Sequence, residues 1–274
     1  MNNSIIGLKR DIIDKFYTSP KIARTYFKYI KKNININKKD LIIEPSAGNG
    51  VFIPLIKKIS DNHLFYDIKP DNKEIIKQNY LKLNTKKLLA TNNKIHIIGN
   101  PPFGRQSSLA IKFIKKSCEF CNTISFILPK SFKKISMQNK IPLNFHLIFQ
   151  KDLPYNSFII NNKSYDVPCV FQIWVKKNYQ RKKQIKVISK YFDFVKKNQN
   201  PDVAIRRVGV NAGKLYLDIS NRNNNSHYFL KMIKNKNKII KLLQKNKYNK
   251  FNNTVGPLSI SKPELINYYN NIIK

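Results

Sequence analysis

Two short segments of this chain carry residues whose types and spacing could do chemistry. Residues 98–104 read Ile-Gly-Asn-Pro-Pro-Phe-Gly after a β-like run of Ile95, Ile97 and Ile98, and residues 42–50 read Ile-Ile-Glu-Pro-Ser-Ala-Gly-Asn-Gly. An amine conjugated to an aromatic ring is a poor nucleophile, because its lone pair is delocalised. If the Asn100 side-chain oxygen and the Pro101 carbonyl each accept one of its N–H groups, the nitrogen is drawn toward tetrahedral geometry and its lone pair is aimed at an electrophile. Pro101 and Pro102 suit such a corner, since proline fixes φ and brings no N–H to compete for the acceptors. Phe103 offers a ring face on which a base can stack. Positioning then carries the rate, and no general base of shifted pKa is required.

The earlier segment supplies a place for a bulky cofactor. Gly48 and Gly50 allow the backbone to come close to a ligand, and the helix expected after them turns its partially positive N-terminus toward the loop. The third glycine of a dinucleotide fingerprint is missing, because Ile53 stands in its place. Asp67 closes the next apolar run, where a carboxylate can accept two ribose hydroxyls, and Ile68 can pack on an adenine ring.

Glu44 to Gly50 and Asn100-Pro101-Pro102-Phe103, preceded by Asp14-Lys15-Phe16-Tyr17-Thr18-Ser19-Pro20, resemble amino-group methyltransferases that use S-adenosylmethionine. The order of the motifs is similar to that of the gamma group of N6-adenine methyltransferases. The resemblance spans residues 14 to about 176 and is specific only at these motifs. It implies a Rossmann-like class I α/β fold with a seven-stranded, mostly parallel sheet. It also implies cofactor contacts at Phe16, Thr18, Glu44, Ser46, Gly48, Gly50, Asp67, Ile68, Asn79 and Asn100, with Glu44 helping to hold the amino-acid moiety. Asn79 departs from the family, which usually has Asp there to bond the adenine amine. The implied reaction is methyl transfer to the exocyclic N6 of adenine, with catalytic Asn100, Pro101, Pro102 and Phe103. DNA is the first substrate expected, on motif order, with RNA next because RNA adenine methyltransferases share the tetrad. Protein glutamine methylation, whose enzymes carry Asn-Pro-Pro-Tyr, is the further alternative.

The elements that must position these motifs are legible as periodicities. A helix is expected over residues 8–32, interrupted at Thr18-Ser19-Pro20, with Ser19 as N-cap and Pro20 in the first turn. Strands are expected at 41–44, 64–67, 95–99 and 123–128, with helices at 51–59, 72–79 and 108–120 and a short edge at 87–91. Alternating strands and helices imply a parallel sheet. Further strands at 145–150, 157–160 and 167–175 would close it, the last two joined by a hairpin turn at Asn161-Asn162-Lys163. Beyond residue 180 the pattern gives strands at 203–208 and 214–218, a basic helix at 228–243 and a short helix after Pro263. Three parts are therefore expected: an N-terminal helical segment over the cofactor (1–35), the catalytic domain (36–180) and a small basic target-recognition region (181–274).

Charge points to the partner. The formal net charge is +37, and residues 181–274 hold 21 Lys+Arg against 4 Asp+Glu. A polyanion would be drawn to such a chain by counterion release, so nucleic acid is the expected partner, contacted by Arg105, Arg206, Arg207 and Lys231. A Lys-, Asn- and Ile-rich composition with only seven arginines also suits an AT-rich coding sequence, which accounts for part of the charge. Cys118, Cys121 and Cys169 are too few for a disulfide framework and lack a second pair for zinc. None of His63, His96, His146 or His227 has a partner at metal-ligand spacing, so no metal is expected. No run reaches the length of a signal peptide or a membrane span, which predicts a soluble intracellular protein.

Overall fold

The computed structural model describes residues 16–91, 94–160, 163–183, 187–245 and 258–273. The expected helix before residue 16 and most of the Asn161-Asn162-Lys163 turn lie outside them, as do Asp14 and Lys15. The chain divides into two compact units between Lys183 and Gln184.

The first unit contains β1 (Tyr17–Thr18), α1 (Pro20–Asn33), β2 (Leu41–Glu44), α2 (Ile53–Lys57), β3 (Asn62–Asp67), β4 (Ile76–Lys77) and α3 (Lys86–Thr91). It continues through β5 (Ile95–Gly99), α4 (Ser108–Cys118), β6 (Thr123–Pro129), α5 (Ile135–Gln138), β7 (Phe145–Asp152), β8 (Phe158–Ile160), β9 (Lys163–Tyr165) and β10 (Cys169–Lys176). Seven strands form one sheet in the order β4-β3-β2-β5-β6-β10-β7, in which β10 runs opposite to the other six. This is the seven-stranded, mostly parallel Rossmann-like class I methyltransferase architecture.

The central strands β2, β5 and β6 are buried along their whole length. That is why apolar residues stand on both faces of each strand, with Glu44, His96, Thr123 and Ser125 as buried polar exceptions. Ala110, Phe113 and Ile114 of α4 pack on them with Leu41, Ile43, Ile97, Ile124 and Phe126. All three cysteines are buried free thiols, and burial pushes Cys118 up to about 12. Below the sheet's carboxyl edge, His96 Nε2 lies 3.2 Å from Asp40 Oδ2 and its Nδ1 lies 2.8 Å from Thr123 Oγ1. These contacts tie the start of three neighbouring strands together. Helix α1 begins as expected, with the Ser19 hydroxyl capping it and Pro20 in its first turn.

Five elements differ from expectation, the first being 157–160, which pairs with 163–165 and not with 167–175 and does not close the main sheet. Residues 72–79 are not helical: the Asn72 side chain accepts the Glu74 N–H at 2.9 Å and closes a turn, after which β4 pairs with the end of β3. Residues 86–91 are a helix and not an edge strand, started by Asn84, which accepts the Lys86 N–H. The Thr18 break is a short strand paired to β8, so β1, β8 and β9 form a small separate sheet. The basic helix of 228–243 is two elements, and His227 opens a strand, as the second unit shows.

That unit contains β11 (Phe192–Val195), β12 (Val203–Arg206), β13 (Leu215–Tyr216), β14 (His227–Met232), α6 (Lys236–Lys245) and α7 (Lys262–Ile272). Its antiparallel sheet has the order β11-β14-β12-β13. Phe192, Val203, Ile205 and Leu230 pack against Ile239, Leu243, Leu265 and Tyr269 of the two helices. Tyr228, Leu230 and Met232 alternate toward this core, a period of two that wins over the helical reading. Asn235 then turns the chain with φ of 50° before α6 starts. Ser261 and Glu264 form a capping box at α7.

Candidate active site

Strand order dictates where a ligand can sit. From β2 the chain adds β3 and then β4 on one side, and returns to place β5 on the other. In an open α/β sheet such a reversal leaves a crevice beyond the carboxyl ends of the two strands. Glu44-Pro45-Ser46 leaves the end of β2, and Asn100-Pro101-Pro102-Phe103 leaves the end of β5. The two motifs are joined directly, because the Ser46 hydroxyl donates to the Asn100 carbonyl at 3.1 Å. Gly99 lies against the Glu44 side chain, whose Cγ would be 3.4 Å from a Cβ placed there.

Asn100 is oriented by its own amide. Its Nδ2 donates to the Phe16 carbonyl at 2.8 Å, while its Oδ1 is buried and has no partner among the described residues. A carbonyl can only accept, so the bond to Phe16 decides which end of the side chain is the nitrogen. The end left over is the acceptor that the amine-orienting reading requires. Three residues after Phe103 depart from ordinary backbone: Gly104 with φ of 67°, Gln106 with 52° and Ser107 with 61°. Left-handed backbone of this kind costs energy and concentrates at functional corners.

Glu44 is 1% exposed, and its Oε2 has no partner among the described residues. Burial, then the nearby Asp67, raises its pKa well above the usual carboxylate range. A cationic ligand is what such a carboxyl lacks. The loop beyond it is built on left-handed glycines, Gly48 with φ of 54° and Gly50 with 81°. A Cβ on Gly48 would meet the Tyr17 ring at 2.9 Å, and one on Gly50 would meet the Ile53 and Asn72 side chains at 2.8 and 2.9 Å. The space the glycines save is thus taken partly by protein. Tyr17, which also donates to Asp71, and Asn72 were not singled out in the sequence, although Tyr17 stands beside Phe16 in the quoted segment.

The other expected cofactor residues divide. The Asp67 carboxylate accepts the Gly48 N–H at 2.9 Å and the Lys69 N–H at 2.8 Å, so it shapes the glycine loop in addition to any ribose role. Ile68 follows it and is 64% exposed, an apolar side chain left in solvent at the strand end. Asn79 spends its side-chain oxygen on the Leu81 N–H at 3.0 Å, capping a turn, which is the work of an Asn in a loop. Thr18 is buried with its hydroxyl unpaired. Phe16 meets Asn100 through its carbonyl, and its ring lies 6.3 Å from Phe103 and 5.7 Å from Tyr165, near-parallel to both. Phe103 is only 7% exposed as a result, so it is a covered ring and not an open floor. A base can stack on it only where the Phe16 ring gives way. Pro101 is buried, and Arg105 is exposed just past the corner.

In the second unit, Arg206 stands opposite His227 across the strands, on the sheet face that also carries Lys231. Arg207 points the other way and lies over the Tyr228 ring, 5.5 Å from its centre. Among the described residues no group of three His, Cys, Asp or Glu side chains could hold a metal ion. No described helix is long and apolar enough to cross a membrane.

S-adenosylmethionine is the cofactor of the fold this chain adopts, and the residues present fit it. A buried unpaired carboxyl, an unpaired amide oxygen and a left-handed glycine loop converge at the switch point. No curated protein sequence matches the chain. Among solved structures it is similar to the 23S rRNA methyltransferase ErmE, at 12% identity and a TM-score of 0.43 over 60% of this chain and 71% of that one. It is also similar to a dimethyladenosine transferase from Plasmodium falciparum, at 15% identity and a TM-score of 0.42 over 59% and 63%. A third is SMU.1697c of Streptococcus mutans, solved in complex with SAH, at 14% identity and a TM-score of 0.37 over 56% and 95%. Residues 35–189 match the profile of the EDM2 methyltransferase-like domain, and the chain belongs to that family.

Proposed function

We propose that the protein transfers a methyl group from S-adenosylmethionine to the exocyclic N6 amine of adenine in nucleic acid, with DNA the first substrate and RNA the second. The observation that carries this reading is the state of Asn100: its Nδ2 is committed to Phe16, and its buried Oδ1 is unpaired beside the cofactor loop. Bound S-adenosylmethionine supplies an electrophilic methyl carbon.

The chain's own residues do the rest. Asn100 Oδ1 and the Pro101 carbonyl each accept one N–H of the target amine, which turns the nitrogen lone pair out of the ring plane. Glu44, Gly48, Gly50 and Asp67 hold the cofactor, Glu44 at its ammonium group. Phe103, with Phe16 displaced, holds the base, which leaves its stack to reach the pocket. The proton shed by the methylated amine passes to water. Phe16 and Thr18 form the cover over the cofactor's methionine end.

The test is to incubate the protein with radiolabelled cofactor and, separately, duplex DNA, single-stranded DNA, RNA and total protein, and to identify the modified nucleoside. N6-methyladenine supports the reading, and label in N4-methylcytosine or in protein overturns it. Label in RNA alone reverses the order of substrates. Asn100→Ala lowers the rate by about 10²–10³-fold, the usual cost of one preorganised hydrogen-bonding group, with cofactor affinity nearly unchanged. Loss of cofactor affinity with turnover retained would refute the role given to Asn100.

A further inference from the structure

We propose that the second unit holds its own binding site for an unpaired nucleotide, at the end of its sheet where β11 and β12 finish and β14 begins. This deepens the nucleic-acid reading above and rests on it. A cavity of about 860 Å³ opens there, walled by Phe194, Lys197, Arg207, His227, Tyr228 and Lys262 among others. It has room for a nucleotide, since small-ligand pockets run to roughly 300–1,000 Å³.

Its chemistry selects the ligand. Phe194 and Tyr228 are half-buried rings set edge to face, 5.4 Å between centres. Each already has a cation against it: Lys262 Nζ is 4.5 Å from the Phe194 centre, and Arg207 lies over Tyr228. Among the described residues, none lining the cavity is acidic. A cationic guest, which naked aromatic walls would attract, is repelled here. An anionic guest with a flat ring suits both features: its base stacks on an aromatic face, and Arg207 and Lys262, both exposed, swing to its phosphate. Lys197 is less available, because its ammonium donates to the Ser220 and Arg222 carbonyls at 2.6 and 2.9 Å.

The aromatic wall requires an open base face, which single strands present, whereas in duplexes the base faces are hidden in the stack. The His227 ring turns to the other sheet face, with Arg206 and Lys231, and its Nδ1 lies 3.0 Å from Ser226 Oγ and 3.2 Å from the Asn223 carbonyl.

The experiment is fluorescence anisotropy on the full chain, without cofactor, using labelled ten-nucleotide RNA, ten-nucleotide single-stranded DNA, the matching DNA duplex, and heparin as a competitor. Arg207→Gln with Lys262→Gln is expected to weaken single-strand binding at least ten-fold and duplex binding less than three-fold. The salt slope for single strands falls by about 1.4, two contacts at roughly 0.7 each. Tyr228→Leu weakens single strands by about 5- to 150-fold, the range for one stacked base. Lys39→Gln, an exposed lysine before β2 in the first unit, leaves them unchanged. Wild-type affinity in the double variant, or equal losses for single strands, duplex and heparin, would overturn the site. Binding of radiolabelled S-adenosylmethionine by each variant reports folding of the first unit and, because no methyl transfer is measured, separates failure of this site from failure of the catalytic reading.

Discussion

Replacing Glu44 by Gln tests whether the catalytic unit stores a penalty for its cofactor. In the free protein this carboxyl is buried, half unpaired, and raised in pKa by burial and then by Asp67. A group whose pKa is higher folded than unfolded binds more protons in the native state, so it erodes stability as pH rises from about 4.5 through its folded pKa. Gln keeps the shape and removes the charge. The gain is the ionisation penalty of the folded carboxyl, which linkage limits to about 1.4 kcal/mol per pH unit above about 4.5, or about 4 kcal/mol at pH 7.5. At roughly 2–4 °C per kcal/mol for a unit of this size, Tm rises by at most roughly 8–16 °C at pH 7.5. At pH 4 the two proteins melt together, because Glu44 is then neutral in both states. Cofactor affinity moves the other way. A hydrogen bond to a charged partner contributes about 1.5–3 kcal/mol, so S-adenosylmethionine binds roughly 10- to 150-fold more weakly to Glu44→Gln. Thermal melts across pH and calorimetric titration measure both. A lower Tm at pH 7.5, or unchanged cofactor affinity, would refute the reasoning.

Gly50→Ala must place a Cβ at φ of 81°, 2.8 Å from Ile53 and 2.9 Å from Asn72. A cost of about 1–3 kcal/mol is expected from the strained backbone alone, together with loss of cofactor binding, and denaturant midpoints and titration check the pair. His96 acts in the opposite sense to Glu44. Burial lowers its pKa against the hydrogen bond that its ring donates to Asp40, so the unfolded chain binds more protons and stability is lost as pH falls below about 6.5. His227 has the same sign. Measured in Glu44→Gln, where the carboxyl's contrary slope is gone, the denaturation midpoint falls between pH 7.5 and 5.5; a flat or rising midpoint contradicts the assignment.

Long apolar runs made the catalytic unit legible. Leu41 to Glu44, Ile95 to Gly99 and Thr123 to Leu128 are mostly apolar on both faces because both sheet faces are covered, and that argues a parallel core. Short segments near turns were less legible. Residues 72–79 and 86–91 each carry a few apolar side chains that fit either period, and local Asn caps at Asn72 and Asn84 decided them. Tyr228 to Leu243 read as one basic helix because lysines recur at helical spacing, yet pairing with β11 and β12 fixed its first part as a strand.

For the site, residue types announced the chemistry, since an Asn-Pro-Pro-Phe corner and a Glu-Pro-Ser-Ala-Gly-Asn-Gly loop each have few uses. What spacing could not reveal is that they meet. That depends on β2 and β5 becoming neighbours across some fifty residues, on Ser46 bonding the Asn100 carbonyl, and on the Phe16 carbonyl turning the Asn100 amide. Nor could it reveal that the Phe16 ring covers Phe103, or that Arg207 and Lys231 face opposite sides of one sheet. Local sequence determines conformational preference and reactive groups, because both are properties of single residues and their neighbours. Which acceptor is left bare, and which ring is covered, was decided only by contacts between segments distant in the chain.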